Sequence, residues 1–94
     1  MREGFQIIGT NVRVGRGEID FIAHRDGVFV VCEVKTRFSS DFGDPAEALT
    51  EKKQRTVRTA ALTWARANGV ELWRLRFDLA CITGRNLSVY PNAF

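Results

Sequence analysis

The chain is poor in the residues that build metal clusters and disulfide scaffolds: its 94 residues include two cysteines and one histidine. Cys32 and Cys81 stand singly in apolar runs without the CxxC spacing of a zinc site, so we expect two buried, reduced thiols. No apolar run approaches the roughly 18 residues of a membrane span, and no charged segment followed by an apolar stretch marks a secretory leader. These absences favour a cytoplasmic protein with no membrane partner.

Length and composition indicate a single domain over residues 1–94, since 45% hydrophobic and 27% charged residues are typical of globular proteins. The charge is unevenly placed. Residues 1–50 carry six Lys/Arg against eight Asp/Glu, whereas residues 51–94 carry eight against three. An acidic cluster inside a basic protein suits a site that gathers a metal ion while its surroundings gather phosphate.

Hydrophobic periodicity and turn residues predict the element order β-β-β-α-β-β. The strands are expected at residues 5–14, 18–25, 28–37, 72–83 and 87–90, with a loop at 38–45. The helix is expected over residues 51–68, with Thr50 as N-cap and Gly69 as its stop. This order predicts an α+β (α/β-like) fold with a mixed sheet of about five strands and one main helix, in which the long connection allows a parallel, right-handed crossover.

The pair Asp26-Gly27 between two β-rich runs predicts a β-hairpin with a two-residue loop. In that register paired positions sum to 53, so Asp20 lies opposite Glu33 and Glu18 lies opposite Lys35. Directly opposed side chains have Cβ atoms roughly 4.5–5.5 Å apart, where like charges are destabilising. Two facing carboxylates therefore need an explanation: either one of them binds a proton, or the two share a cation such as Mg²⁺. The alternative is a solvated strand end with a Glu18–Lys35 salt bridge.

Lys52 and Lys53 lie in the first turn of the expected helix, where the helix dipole already favours acidic residues. The presence of two lysines in this turn is explained if an anion such as a backbone phosphate binds there. The alternative is a solvated basic face. Both tryptophans, Trp64 and Trp73, are expected in the core, and His24 is expected at the surface near the hairpin turn.

Five segments in this order resemble the YraN family of small bacterial proteins, and together they cover nearly the whole chain. They are GEIDFIA (17–23), CEVKTR (32–37), FGDPAEALTEKKQRTVRTAA (42–61), LRFDLACITG (75–84) and PNAF (91–94). The family is grouped with the PD-(D/E)xK restriction-endonuclease-like superfamily and is similar to archaeal Holliday-junction resolvases. The resemblance implies a restriction-endonuclease-like fold and a Mg²⁺- or Mn²⁺-dependent endonuclease acting on DNA, branched DNA included.

Carried over residue by residue, Asp20 matches the metal-binding aspartate and Glu33-Val34-Lys35 matches the (D/E)xK element. The resemblance implies that Asp20, Glu33 and the Val34 carbonyl ligate the metal, with Lys35 beside the attacking water. Nucleic-acid contacts are expected from the remaining cations near this site and on the helix, which are Arg37, Lys52, Lys53, Arg55 and Arg58. Resolvase-like relatives act as two-fold dimers, so a homodimer is expected.

One departure concerns the N-terminal helix with a glutamate that family members usually carry. Relative to the family we expect the chain to lack this helix before the first strand, either because its start is truncated or because a partner supplies the cover. The candidates for a replacement acid are Glu3, which is poorly placed, and Glu18, which is the auxiliary candidate. Two other functions therefore stay open beside the endonuclease: a non-catalytic DNA-binding module and a structural subunit in DNA processing.

Overall fold

A five-stranded mixed sheet and one long helix make up the part of the protein that the structure describes. The computed structural model describes residues 4–37, without the side chain of Arg37, and residues 49–94. The strands are β1 (Gln6–Val14), β2 (Gly17–Arg25), β3 (Val28–Arg37), β4 (Leu75–Thr83) and β5 (Asn86–Tyr90), and the helix is α1 (Glu51–Ala67). The predicted α+β fold is confirmed, while the loop expected at residues 38–45 lies outside the described residues. No helix in the described ranges has the length and apolarity needed to cross a bilayer.

The strands lie in the sheet in chain order, β1-β2-β3-β4-β5. Neighbouring strands are antiparallel except β3 and β4, which are parallel and joined through α1. Two parallel neighbouring strands run in the same direction, so the chain between them must return to the starting end of the sheet. A short turn cannot span that distance, and a crossover connection is required. Val30, Val31 and Cys32 are all buried in succession, as expected of a central strand covered on both faces.

The hairpin between β2 and β3 has the predicted two-residue loop. Asp26 and Gly27 both have positive φ, 49° and 81°, which is the geometry of a type I′ turn. The paired residues run from Arg25–Val28 to Phe21–Cys32, so the predicted register is confirmed. This turn therefore fixes which side chains of β2 and β3 lie at the same level.

The helix α1 packs its apolar stripe on one face of the sheet. Its N-cap Thr50 accepts a hydrogen bond from the Lys53 N–H at 3.1 Å, and the chain turns away at Gly69, which has a φ of 68°. The buried core against this face comprises Ile19, Ile22, Val31, Val57, Ala60 and Ala61. Full burial of each larger side chain contributes about 1.5–3 kcal/mol, which holds α1 over the centre of the sheet.

The start of the fourth strand differs from the prediction. Leu72–Arg74 forms a short 3₁₀-helix, and the strand begins at Leu75. Trp73, expected in the core, is 74% exposed, because its Nε1–H donates to the Glu71 carboxylate at 2.7 Å and Arg74 lies over its ring. Trp64 packs against the core as expected. Local hydrogen bonds to one glutamate thus outweigh the apolar strand pattern.

Candidate functional site

The ladder between β2 and β3 ends at Phe21–Cys32, one pair before Asp20 and Glu33. Beyond that pair, β2 stays paired with β1, and β3 stays paired with β4. We call this divergence the fork. The cleft at the fork has a volume of about 300 Å³ and is lined by Asp20, Glu33, Val34, Lys35, Leu49, Thr50 and Lys53.

An irregularity in β2 accompanies the fork. Ile19 and Ile22 both lie in the core cluster, although residues three apart in a regular strand face opposite sides. The alternation therefore shifts between them, where Asp20 lies. The facing segment of β1 contains Asn11, whose φ of 49° lies in the left-handed region. The residue pattern of β1 and β2 in the sequence gave no sign of this shift.

The Asp20 carboxylate is held by the backbone of β3. Its Oδ2 accepts a hydrogen bond from the Val34 N–H at 2.7 Å. Because β2 has already left the ladder at this level, the side chain of Asp20 takes the place of a strand partner. This short contact fixes Asp20 at the mouth of the fork.

The Glu33 carboxylate lies beneath Asp20 with a side chain that is only 4% exposed. Its Oε2 lies 3.1 Å from Lys53 Nζ, whereas its Oε1 has no hydrogen-bond partner among the described residues. Burial, and then the adjoining Asp20 carboxyl, raise the pKa of Glu33 from 4.5 to about 7, against the opposing effect of Lys53. The two carboxylates therefore meet in one cleft, but the predicted direct opposition of Asp20 and Glu33 in the ladder is wrong, because the ladder ends one pair before them.

Lys35 is exposed at the rim of the same cleft, while Arg37 pairs through its backbone with Thr83. The predicted opposition of Glu18 and Lys35 is wrong, because the ladder ends before it reaches them. Glu18 instead lies opposite Arg13 of β1. It is absent from the residues that line the cleft in the described structure.

The predicted group of helix cations is divided among three environments. Lys53 contacts Glu33, Lys52 and Arg55 line a second cleft, and the Arg58 guanidinium lies 5.6 Å from the centre of the Phe77 ring. The inward role of Lys53 was missed at the sequence level. The sequence feature that could have indicated this role is the position of Lys53 three residues after the N-cap, which places its side chain over the end of β3.

Three further titratable groups of the described structure lie outside the cleft at the fork. Asp78, which the sequence analysis did not single out, is buried, receives two hydrogen bonds from Arg76 and accepts one from the Asn92 N–H at 3.1 Å. Burial and the neighbouring carboxylates raise the pKa of the Cys32 thiol to about 12. His24 accepts a hydrogen bond from the Gly27 N–H and thus stabilises the hairpin turn.

The donors at the fork suit a hard cation held loosely. In the described ranges no cluster of three or more His, Cys, Asp and Glu side chains surrounds a metal position. Asp20 and Glu33 offer two carboxylates, one with a buried oxygen that has no partner among residues 4–37 and 49–94, and Val34 lines the same cleft. Mg²⁺ suits few carboxylates and several waters, so the residues present fit this ion.

The fold and the fork define an α+β protein with paired carboxylates and a lysine at the divergence of two central strands. A profile of the Uncharacterised protein family UPF0102 matches residues 1–82, and the chain belongs to this family, which is the YraN family expected from the sequence. A UPF0102 protein of Renibacterium salmoninarum is 42% identical over 81 residues, covering 86% of this chain and 69% of the relative. UPF0102 proteins of Sulfurihydrogenibium sp. and Desulfosudis oleivorans are 36% and 38% identical, covering 97% and 99% of this chain and 79% and 77% of the relatives.

Proposed function

We propose that this protein binds DNA and hydrolyses a phosphodiester bond at the fork, with Mg²⁺ or Mn²⁺ held by Asp20 and Glu33. The observation that carries the proposal is the buried Glu33 Oε1, which has no partner in the described structure and lies beside a second carboxylate in an open cleft. A buried carboxylate is costly unless it is paired, and a cation at this position would offset that cost. The resemblance to the PD-(D/E)xK superfamily supports the same assignment.

Each side chain at the fork has a distinct part in the proposed reaction. Asp20, fixed by the Val34 N–H, and Glu33 would hold the cation, together with the Val34 carbonyl. A cation bound there would lower the pKa of a coordinated water and polarise the phosphoryl oxygen. Lys35 at the rim would offset the negative charge that develops on the phosphoryl oxygens as the bond breaks.

Metal binding is the first test, and the hairpin supplies a matched control. Asp20→Asn keeps an oxygen for the Val34 N–H but removes the charge, while Asp26→Asn makes the same change at the exposed turn, roughly 20 Å along the strand. In calorimetric titration with Mn²⁺, we expect wild type and Asp26→Asn to bind alike. Asp20→Asn should bind at least about tenfold more weakly, because one of two carboxylates is lost. Equal heats for wild type and Asp20→Asn would contradict the metal site.

Cleavage is the second part of this test. Wild type with Mn²⁺ should cut a labelled four-way junction or duplex, and Lys35→Met should lose cleavage while its Mn²⁺ titration stays unchanged. Cleavage by Lys35→Met at the wild-type rate would exclude the proposed role of this lysine.

A non-catalytic DNA-binding module is the second candidate function. It is favoured by the contact between Lys53 Nζ and Glu33 Oε2, since this ammonium already balances one carboxylate without a metal. In that case DNA binding would depend on salt but would be the same with Mn²⁺ and with a chelator. A structural subunit would show neither metal binding nor salt-dependent DNA binding.

A further inference from the structure

A second cleft lies between the β1–β2 turn and α1, and we call it the turn–helix groove. It has a volume of about 480 Å³. Its lining residues are Val14, Gly15, Arg16 and Gly17 from the turn, and Lys52, Arg55, Thr56, Thr59, Ala60 and Thr63 from the helix. Three of these residues are cationic and none is acidic.

The groove exists because the turn approaches the helix closely at one glycine. A Cβ placed on Gly17 would lie 3.0 Å from the Ala60 Cβ and 3.5 Å from the Thr56 carbonyl oxygen. Gly15, by contrast, has open space where a Cβ would stand. The floor is therefore formed by Gly17 and Ala60, while Arg16 and the helix cations stand at the rim.

The helix side of the groove is a regular stripe of polar groups. Lys52, Arg55, Thr59 and Thr63 lie three or four residues apart, so they follow one face of α1. This stripe is about 16 Å long at 1.5 Å per residue, which matches several phosphates of a strand spaced about 3.4 Å apart along the duplex axis. Arg55 also lies 4.0 Å from the Glu51 carboxylate, an exposed ion pair that a phosphate can replace at little cost.

The groove and the fork are close to each other along the chain at two places. Lys52 lines the groove and the next residue, Lys53, lines the fork. Along β2, Gly17 of the groove is three residues from Asp20, or about 10 Å. A strand positioned with a phosphate at Asp20 would therefore carry another phosphate into the groove on the order of three nucleotides away.

We propose that the turn–helix groove binds the phosphodiester backbone of DNA beside the bond at the fork, with Arg16, Lys52 and Arg55 as the phosphate contacts. This inference rests on the proposed function for the position of the strand. Arg16, which lies in the turn between β1 and β2, was not among the cations expected from the sequence to contact nucleic acid. The hydroxyls of Thr59 and Thr63 would add hydrogen bonds that the backbone of any nucleotide sequence can accept, whereas the Thr56 hydroxyl already donates to the Lys52 carbonyl, so the groove gives affinity without sequence preference.

The test compares two double variants that remove the same charge. Arg16→Gln/Arg55→Gln alters the groove, while Arg66→Gln/Arg85→Gln removes two exposed arginines that line neither cleft. Anisotropy titrations of a labelled four-way junction are made in chelator at several salt concentrations. The groove variant should bind at least about tenfold more weakly at low salt and reduce the slope of log K against log[salt] by roughly two. The control variant should stay within about twofold of wild type. Equal weakening of both variants, or of neither, would overturn the proposal.

A second measurement does not depend on charge. Cys32 and Cys81 are both buried, at 2% exposure, so an introduced surface cysteine can be labelled selectively. A bulky maleimide on Thr59→Cys should block DNA binding, whereas the same label on Ala67→Cys, at the exposed end of α1, should not. Undiminished binding by labelled Thr59→Cys would exclude the groove. Because these titrations contain no divalent metal, loss of the metal site would leave their result unchanged.

Discussion

Glu33 illustrates how much the chemistry of this protein depends on single atoms. Its two carboxylate oxygens differ: Oε2 has the Lys53 ammonium at 3.1 Å, while Oε1 has no hydrogen-bond partner among the described residues. A carboxylate in that position is poorly stabilised in the ionised form, and its raised pKa expresses this cost. The same imbalance that disfavours the ionised residue makes the position receptive to a cation.

The folded protein should therefore lose stability as Glu33 ionises. The pKa of Glu33 is raised from 4.5 to about 7, so between these values the folded state binds more protons than the unfolded state. The free energy of unfolding must fall as pH rises through this window. Glu33→Gln removes the titration, and at pH 8.5 without metal it should be more stable than wild type by at most about 3–4 kcal/mol, from 1.36 kcal/mol per pKa unit over the shift from 4.5 to about 7.

Urea unfolding of both proteins at pH 4 and pH 8.5 checks this expectation. At pH 4, below the unfolded-state pKa of 4.5, the Glu33 carboxyl is mostly neutral in both the folded and the unfolded wild type, so the two stabilities should nearly coincide there. A difference between the proteins that is the same at both pH values would show that Glu33 does not titrate in this range.

At the scale of elements, the hairpin was predictable but the fork was not. The Asp26-Gly27 turn dictates the register of β2 and β3, because both residues adopt positive φ at low cost. Where the ladder stops depends instead on the separate partners that β1 and β4 provide. The position of Trp73 was missed for a related reason, since the hydrogen bond to Glu71 cannot be inferred from apolar periodicity. The carboxylate pair was thus foreseen, while its opening into a cleft required the whole sheet.

The close approach of the first turn to α1 gives a prediction about packing. Gly17→Ala would place a Cβ 3.0 Å from the Ala60 Cβ, and both atoms belong to backbone-anchored groups that cannot rotate away. We expect a destabilisation of about 1–2 kcal/mol from this overpacking. In an Ala60→Gly background the added cost should largely vanish, which a double-mutant cycle by urea unfolding would measure. Additive effects of the two substitutions would contradict the contact.

At the scale of the whole molecule, apolar side chains remain exposed at both edges of the sheet. Leu87 and Val89 of β5 are 64% and 55% exposed, and Ile7 and Ile8 of β1 are 48% and 45% exposed. Edge strands with such side chains are ready to pair with a further strand. Association of two copies would cover one of these edges and would form a symmetric pair of forks.

We therefore expect a homodimer. Light scattering at high micromolar concentration should give twice the chain mass of 10.6 kDa. Val89→Lys, which places a charge on the β5 edge, should shift the mass toward the single chain, whereas Ser88→Lys on the opposite face of the same strand should do so less. A single-chain mass for wild type at the same concentration would count against association.

The parallel pairing of β3 with β4 also has a consequence for how the chain folds during synthesis. Phe29 pairs with Leu75, so the central strand must wait for a partner that follows 46 positions later in the chain. At a synthesis rate of about 5–20 residues per second, that delay is roughly 2–9 seconds. During this interval the β1–β3 meander can form locally and α1 is synthesised, but one edge of β3 stays open until β4 follows. The slow, non-local step of folding is thus the step that completes the fork, so the site forms only once the second half of the chain has folded back.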